Sequence, residues 1–136
     1  MSKPRGVRSL HDRIIGLTAF LDAFESPEFT FGEMSRAPGK LPCFKGSEIA
    51  AQFVEQVYEL GWVLDDFDWM SWDEGNRFIE DPKALDGADI ADIERLLTAH
   101  VRNDRFCEGH LGAMFDSGHL TAILRQLRSI GQEVED

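Results

Sequence analysis

Leu10, Ile14, Leu17, Leu21 and Phe24 recur at intervals of four, three, four and three residues, the spacing of one helix face. Ser9 stands as the N-cap with Asp12 three residues on, so the pattern predicts a helix from about Leu10 to Phe24, ended by Ser26-Pro27. Residues 28–46 lose this period. Phe29, Phe31, Pro38-Gly39 and Pro42 predict either a short hairpin, from Phe29-Thr30-Phe31 and Leu41–Phe44, or an ordered loop packed down by its phenylalanines. A second helix begins at Ser47, with Ile49, Phe53, Val57 and Leu60 as its stripe and Gly61 just past its end. Ser71-Trp72-Asp73-Glu74 has the form of a capping box and predicts a short helix over 72–80, stopped by Asp81-Pro82. Asp89, with Asp92 at the third position, opens the clearest helix, followed by Ile90, Ile93, Leu96, Leu97 and Val101. Leu120, Ile123, Leu124, Leu127 and Ile130 mark a last helix over roughly 119–130. The expectation is a mostly α, single-domain helical bundle of about four to five helices over residues 1–136. A short hairpin around 28–46 is the open element, and residues 1–8 and 132–136 are expected to be flexible ends.

Length is consistent with this. The 136 residues fit one domain of roughly 100–200 residues, long enough to bury about two-thirds of the unfolded surface without disulfides or a structural metal. No stretch approaches the roughly 18 apolar residues of a membrane span. The basic start, Met1 to Arg8, followed by Ile14–Leu21, has a passing likeness to a signal peptide. His11, Asp12 and Arg13 precede that run, Asp22 interrupts its end, and no small-residue cleavage site follows, so the helix reading prevails. Cys43 and Cys107 lie far apart with no CxxC spacing and read as reduced thiols of a cytoplasmic protein.

Charge changes the picture more. The net charge is −11, and residues 65–94 hold eleven acids against only Arg77 and Lys83. Such a field repels a phosphate backbone, so direct duplex nucleic-acid binding is not expected. An acidic face can meet a basic protein partner, imitate nucleic acid as an inhibitor, or simply keep the domain soluble. Trp62, Trp69 and Trp72 fall in or beside it. Asp65, Asp66, Asp68, Trp69 and Trp72 are the candidate acidic and aromatic binding surface for a cationic ligand. The plainer alternative makes the tryptophans the heavy end of the core.

One segment is denser in chemistry than the rest. Residues 96–124 begin Leu-Leu-Thr, run through Arg102, Asp104-Arg105-Phe106 and Glu108-Gly109-His110-Leu111, and pass Ser117-Gly118 into the last helix. Upstream stands Phe67-Asp68-Trp69 with Trp72. This resembles a family of small prokaryotic proteins of unknown function, with an FDW-x-x-W element and an LLT…R-x-DRF-x-EGHL…SG signature. The resemblance covers about residues 47–127 and implies identity without an activity, cofactor or partner.

The segment must also be read for itself. At about 100° per residue, Ile93, Leu96, Leu97, His100, Asp104 and Cys107 share the apolar side of a helix, while Arg102 and Phe106 point away. An unbroken helix would send an aspartate inward and a phenylalanine outward. Either the helix ends near Asn103–Asp104 and Asp104 caps a new turn, or Asp104 is buried against an arginine. The structural reading is a buried network of Asp104, Arg105, Glu108 and Arg102 clamping helices around Gly109. The catalytic reading, a small hydrolase- or nuclease-like enzyme, draws its candidates from Arg102, Asp104, Arg105, Glu108 and His110. In it His110 or Glu108 is the base, and the arginines steady an anion. His100, Asp104, Cys107 and His110 are weak metal candidates at i, i+4, i+7 and i+10, without an established zinc spacing. His119 reads as a turn filler. No cofactor motif is present. The leading expectation is therefore a non-enzymatic, acidic protein–protein interaction module.

Overall fold

A computed structural model describes residues 9–35, 38–39, 43–107 and 109–133. Helices dominate: α1 (Leu10–Thr18), α2 (Leu21–Phe24), α3 (Glu48–Glu59), α4 (Asn76–Glu80), α5 (Ile90–Phe106), α6 (His110–Asp116) and α7 (His119–Glu133). An antiparallel hairpin of β1 (Gly32–Ser35) and β2 (Cys43–Gly46) joins α2 to α3, with Gly32 opposite Gly46 and Ser35 opposite Cys43. The described residues thus hold six helices besides the single turn α2, more than the four to five expected. The excess is α6, which exists because Gly109 and Gly118 take φ values of +89° and +85° and break the chain at both its ends. Side chains rarely adopt that conformation, and glycine does so without a steric cost.

Local signals place most boundaries. Ser9 accepts from the Asp12 amide at 3.1 Å to open α1, and Ser47 accepts from the Ala50 amide at 3.2 Å to open α3. Asp89 and Asp92 form a reciprocal capping box at the start of α5, an arrangement that satisfies two free amide donors at once. Gly61 follows α3 with φ +77°. Two readings need correction. The helix expected to run unbroken to Phe24 breaks after Thr18, and Phe20 packs edge-on against Phe53 at 5.4 Å. The capping box at Ser71 does not form: the chain makes a 3-10 turn over Asp73–Gly75 without a side-chain cap, and α4 begins at Asn76.

The first strand lies later than Phe29–Phe31. Those phenylalanines join Phe24 and Phe115 in an aromatic cluster, with centroids 5.3–5.9 Å apart. Aromatic pairs at such spacing add about 0.5–1.5 kcal/mol beyond area burial, so packing claims these residues before pairing does. Leu41 and Pro42, expected in the second strand, lie outside the described residues.

The core runs continuously through Leu17, Phe53, Val57, Trp62, Ile93, Leu97, Leu120, Ile123, Leu124 and Leu127, each at 0% exposure. Burial of each such aliphatic side chain is worth about 1.5–3 kcal/mol. Helix α1 lies against α7, where a Cβ on Gly131 would meet Ile14 Cγ2 at 2.7 Å.

Two polar anchors tie the acidic segment down. Arg13 donates from Nε to the Leu60 carbonyl at 2.8 Å and from Nη2 to the Gly61 carbonyl at 3.0 Å and Glu94 at 3.1 Å. Its guanidinium lies 4.3 Å from the Trp62 ring centroid. The buried Thr98 hydroxyl accepts from the Leu64 amide at 2.9 Å and donates to the Glu94 carbonyl at 2.7 Å. Residues 60–64 are thereby fixed to α5, and the tryptophan-rich turns that follow stand over its middle. Among the described residues, no helix is long and apolar enough to cross a membrane.

Candidate functional site

Three of the chain's four histidines meet in one place. His100 enters from the buried face of α5, where its spacing from Ile93, Leu96 and Leu97 puts it. His110 and His119 are the first residues of α6 and α7, each delivered by the glycine before it. Nδ1 of His100 lies 3.0 Å from Nε2 of His110, and Nε2 of His100 lies 3.0 Å from Nε2 of His119. Asn103, one turn beyond His100 on α5, sets its amide nitrogen 3.2 Å from Nδ1 of His110. The result is a line: Asn103, His110, His100, His119.

Burial decides the charge of this line. Desolvation comes first at His100, with repulsion from His119 and His110 behind it, and lowers its pKa to about 3. Burial and then the charge of His110 bring His119 to about 4. Burial also lowers His110, against an opposing pull from the Asp104 carboxylate. All three rings are therefore neutral at neutral pH, each with one N–H and one lone pair.

The line opens on a cleft of about 310 Å³. Trp69, Met70, Trp72, Asp73, Asn76 and Ile79 form one side, and Leu96, Ala99, His100, Asn103 and His110 the other. Trp69 stacks at 6.1 Å and 29° on Phe106, which is 78% exposed. Gly75 is buried beneath Trp72, where a Cβ would approach Cζ3 to 2.5 Å, so glycine there lets the indole lie flat in the wall. A larger groove of about 430 Å³ exists beside Phe31, Ala50 and Val54. Its one titratable lining group, Asp104, is already committed elsewhere.

That commitment bears out one part of the alternatives for the Arg102–His110 block, Asp104 as the cap of a new turn, and corrects the rest. Helix α5 continues to Phe106, and the phenylalanine does face solvent, stacked against Trp69. Asp104 neither ends the helix nor pairs with an arginine. Its Oδ1 accepts from the Leu111 amide at 3.0 Å and so caps the first turn of α6. Arg105 is exposed, 5.8 Å over the Tyr58 ring, and Arg102 is half-buried. The ion pairs among the described residues are Arg13–Glu94, Arg95–Asp92 and Arg125–Glu25, none of them in the block. An arginine clamp does exist elsewhere, made by the half-buried Arg13. Glu108 lies outside the described residues.

Of the other candidates, Cys107 is an exposed free thiol. The proposed metal set, His100, Asp104, Cys107 and His110, is not brought to one point. The histidines do not converge either, since His100 turns opposite nitrogens to His110 and His119. Among the described residues, no group of three or more His, Cys, Asp or Glu could hold a metal ion. Trp62 belongs to the core, whereas Trp69 and Trp72 are half-buried in the cleft wall. Asp65, Asp66 and Asp68 are exposed and outside the cleft. Sequence reading missed Asn103, Asp73 and the part played by His119. The available signal was three histidines within twenty residues, separated by glycines able to turn the chain.

The model of a family of unknown function, DUF6508, matches residues 10–133, nearly the whole chain and all of the site. The chain belongs to that family. No curated protein and no solved structure matches this DUF6508 chain. The reading of its site therefore stands on geometry.

Proposed function

We propose that the cleft beside His110 is an acid–base site for a small, partly apolar organic molecule that is neutral or positively charged. The observation that carries this is the opening of the histidine line into the cleft, with His100 and His110 both in its wall. A neutral imidazole within reach of a ligand can take or return a proton, or orient the ligand by a hydrogen bond. Trp69, Met70 and Trp72 supply apolar walls, and Asp73 is the charged group that lines it. No Lys or Arg among the described residues does so, and the neighbouring acids deepen the negative field. A phosphate or carboxylate would enter without a counter-charge. Proton transfer on an amine or on a neutral C–H or O–H acid suits this site better than phosphoester hydrolysis on Arg102 and Arg105.

The test is titration of ¹⁵N-labelled protein with benzylammonium, benzyl alcohol and benzoate. Saturable shifts at Asn103, His110, Trp69 and Trp72 are expected with the first two probes and none with benzoate. Binding of benzoate alone, or no response in the cleft to any probe, would overturn the reading.

A second reading keeps the acidic face as a docking surface for a basic protein. Its support is that Asp65, Asp66 and Asp68 are exposed and make no ion pair among the described residues. Reversing the three charges should then abolish capture of that partner, and undiminished capture would reject it. Both readings fit a cytoplasmic setting, in keeping with the free thiol of Cys107.

A further inference from the structure

The histidine line does not stop at the cleft. Both nitrogens of the buried His100 are engaged by other imidazoles, at 3.0 Å each. His119, the far member, lines a second cavity of about 180 Å³ with Met114, Ser117 and Gly118. Ile79 contributes to the walls of both cavities. An unbroken run of three rings thus connects two separate openings.

Counting donors fixes how the run works. A neutral imidazole offers one N–H and one lone pair. With the Asn103 amide donating to Nδ1 of His110, that ring must carry its proton on Nε2 and donate it to Nδ1 of His100. His100 then donates from Nε2 to Nε2 of His119, whose own proton is left on Nδ1. Turning the Asn103 amide end for end reverses every bond. Only these two arrangements satisfy all three contacts between neutral rings.

We propose that His100 and His119 form, with His110, a proton relay between the cleft and the second cavity. A proton released by a molecule in the cleft lands on Nδ1 of His110, in place of the Asn103 amide. The Nε2 proton of His110 moves to Nδ1 of His100, and the Nε2 proton of His100 moves to Nε2 of His119. The Nδ1 proton of His119 leaves to water. One proton enters and one leaves, and the three rings end neutral in the opposite tautomers. A return of one proton to the cleft molecule resets the chain, so the device suits a reaction that removes a proton and later restores it. Besides its own members, the charge that acts on the relay is Asp104, on the His110 side. The source of the proton rests on the cleft reading, while the chain itself does not. In this reaction His110 would be the catalytic group, and His100 and His119 act through it.

Histidine-selective ¹⁵N spectroscopy on the full chain tests the relay without any ligand. At neutral pH, couplings between nitrogens across both His–His hydrogen bonds are expected, with His119 protonated on Nδ1. Asn103→Asp presents only acceptor oxygens at alkaline pH, and should shift the His119 proton from Nδ1 to Nε2. The two residues share no hydrogen bond, so a packing role would not move that signal. Adding His100→Phe should abolish the response. A His119 tautomer indifferent to Asn103→Asp, or responding equally without His100, would overturn the proposal. Should Asn103→Asp not fold, loss of either coupling in the parent protein overturns it. Failure of the benzyl probes leaves these signals untouched, so the two readings fail separately.

Discussion

Arg13, half-buried at the edge of the core, and His100, buried within it, are both polar side chains with several hydrogen-bond partners, and those bonds differ in kind. Arg13 carries a permanent charge, and every group it hydrogen-bonds is a fixed acceptor: two carbonyls at the end of α3 and the carboxylate of Glu94. Its bonds have one possible direction. His100 is neutral and meets two groups that can each donate or accept. Its bonds can run in either of two directions, set by which end of the Asn103 amide faces His110. Fixed polarity makes a brace, because any rearrangement leaves a charge or a carbonyl unpaired. Reversible polarity makes a poor brace and a good conductor of protons. On the relay proposal, what separates the two side chains is whether the protein can reverse the direction of their hydrogen bonds: it cannot at Arg13, and it can at His100.

The comparison breaks most plainly at Arg13. Arg13→Ala should cost about 3 kcal/mol, since it strands a half-buried carboxylate and two helix-end carbonyls. In a domain of this size that lowers the unfolding midpoint by roughly 10 °C. Thermal unfolding checks it, and a drop near that produced by an exposed arginine would mean the brace carries little.

Acid should expose the other member of the pair. The unfolded chain takes up protons on its histidines near pH 6.5, whereas His100 refuses one until about pH 3 and His119 until about pH 4. Stability is full above the unfolded value and falls as the pH drops through the window between 6.5 and these folded values. For His100 alone the slope is about 1.4 kcal/mol per pH unit. Denaturant midpoints recorded from pH 7 to 5 should show this decline, and His100→Phe should make it shallower while leaving the share of His119. An unchanged slope in that variant would remove His100 from the account.

How far each region was legible follows from the range of its contacts. Ser9, Ser47, Gly61 and the Asp89–Asp92 box were readable because a cap acts on amides within three residues. The helical face carrying His100 was readable for the same local reason. Arg13 was not, because its partners lie 47, 48 and 81 residues away. Nor was the histidine line. It depends on two positive-φ glycines that fold α6 and α7 back onto α5, and sequence shows the glycines without the direction of the turns. Phe106 faced outward, against expectation from hydrophobicity, because Trp69 supplies the surface it stacks on.

Gly75→Ala sharpens the contrast from the cleft side. The added methyl must displace the Trp72 ring, which already fills that space. Overpacking of this kind costs about 1–3 kcal/mol, so a midpoint loss of several degrees is expected. The displaced indole should also weaken binding of benzylammonium while leaving the His100–His119 coupling intact. If binding and stability are both unchanged, Trp72 has room that the structure denies it.

The smallest effect belongs to Arg105, and it decides between two arginines of one chain. Arg105 lies in the Arg102–His110 block, yet its side chain is exposed and its aromatic contact with Tyr58 is long, at 5.8 Å. Surface substitutions away from special features stay within about 0.5 kcal/mol. Arg105→Ala should therefore move the midpoint by no more than about 3 °C, against the large loss expected for Arg13→Ala. The comparison is a direct one, since both variants remove the same side chain from the same fold. A loss at Arg105 equal to that at Arg13 would restore an arginine clamp to the Arg102–His110 block. A small loss leaves the Arg102–His110 block without an arginine brace at Arg105, as the exposure of that side chain requires.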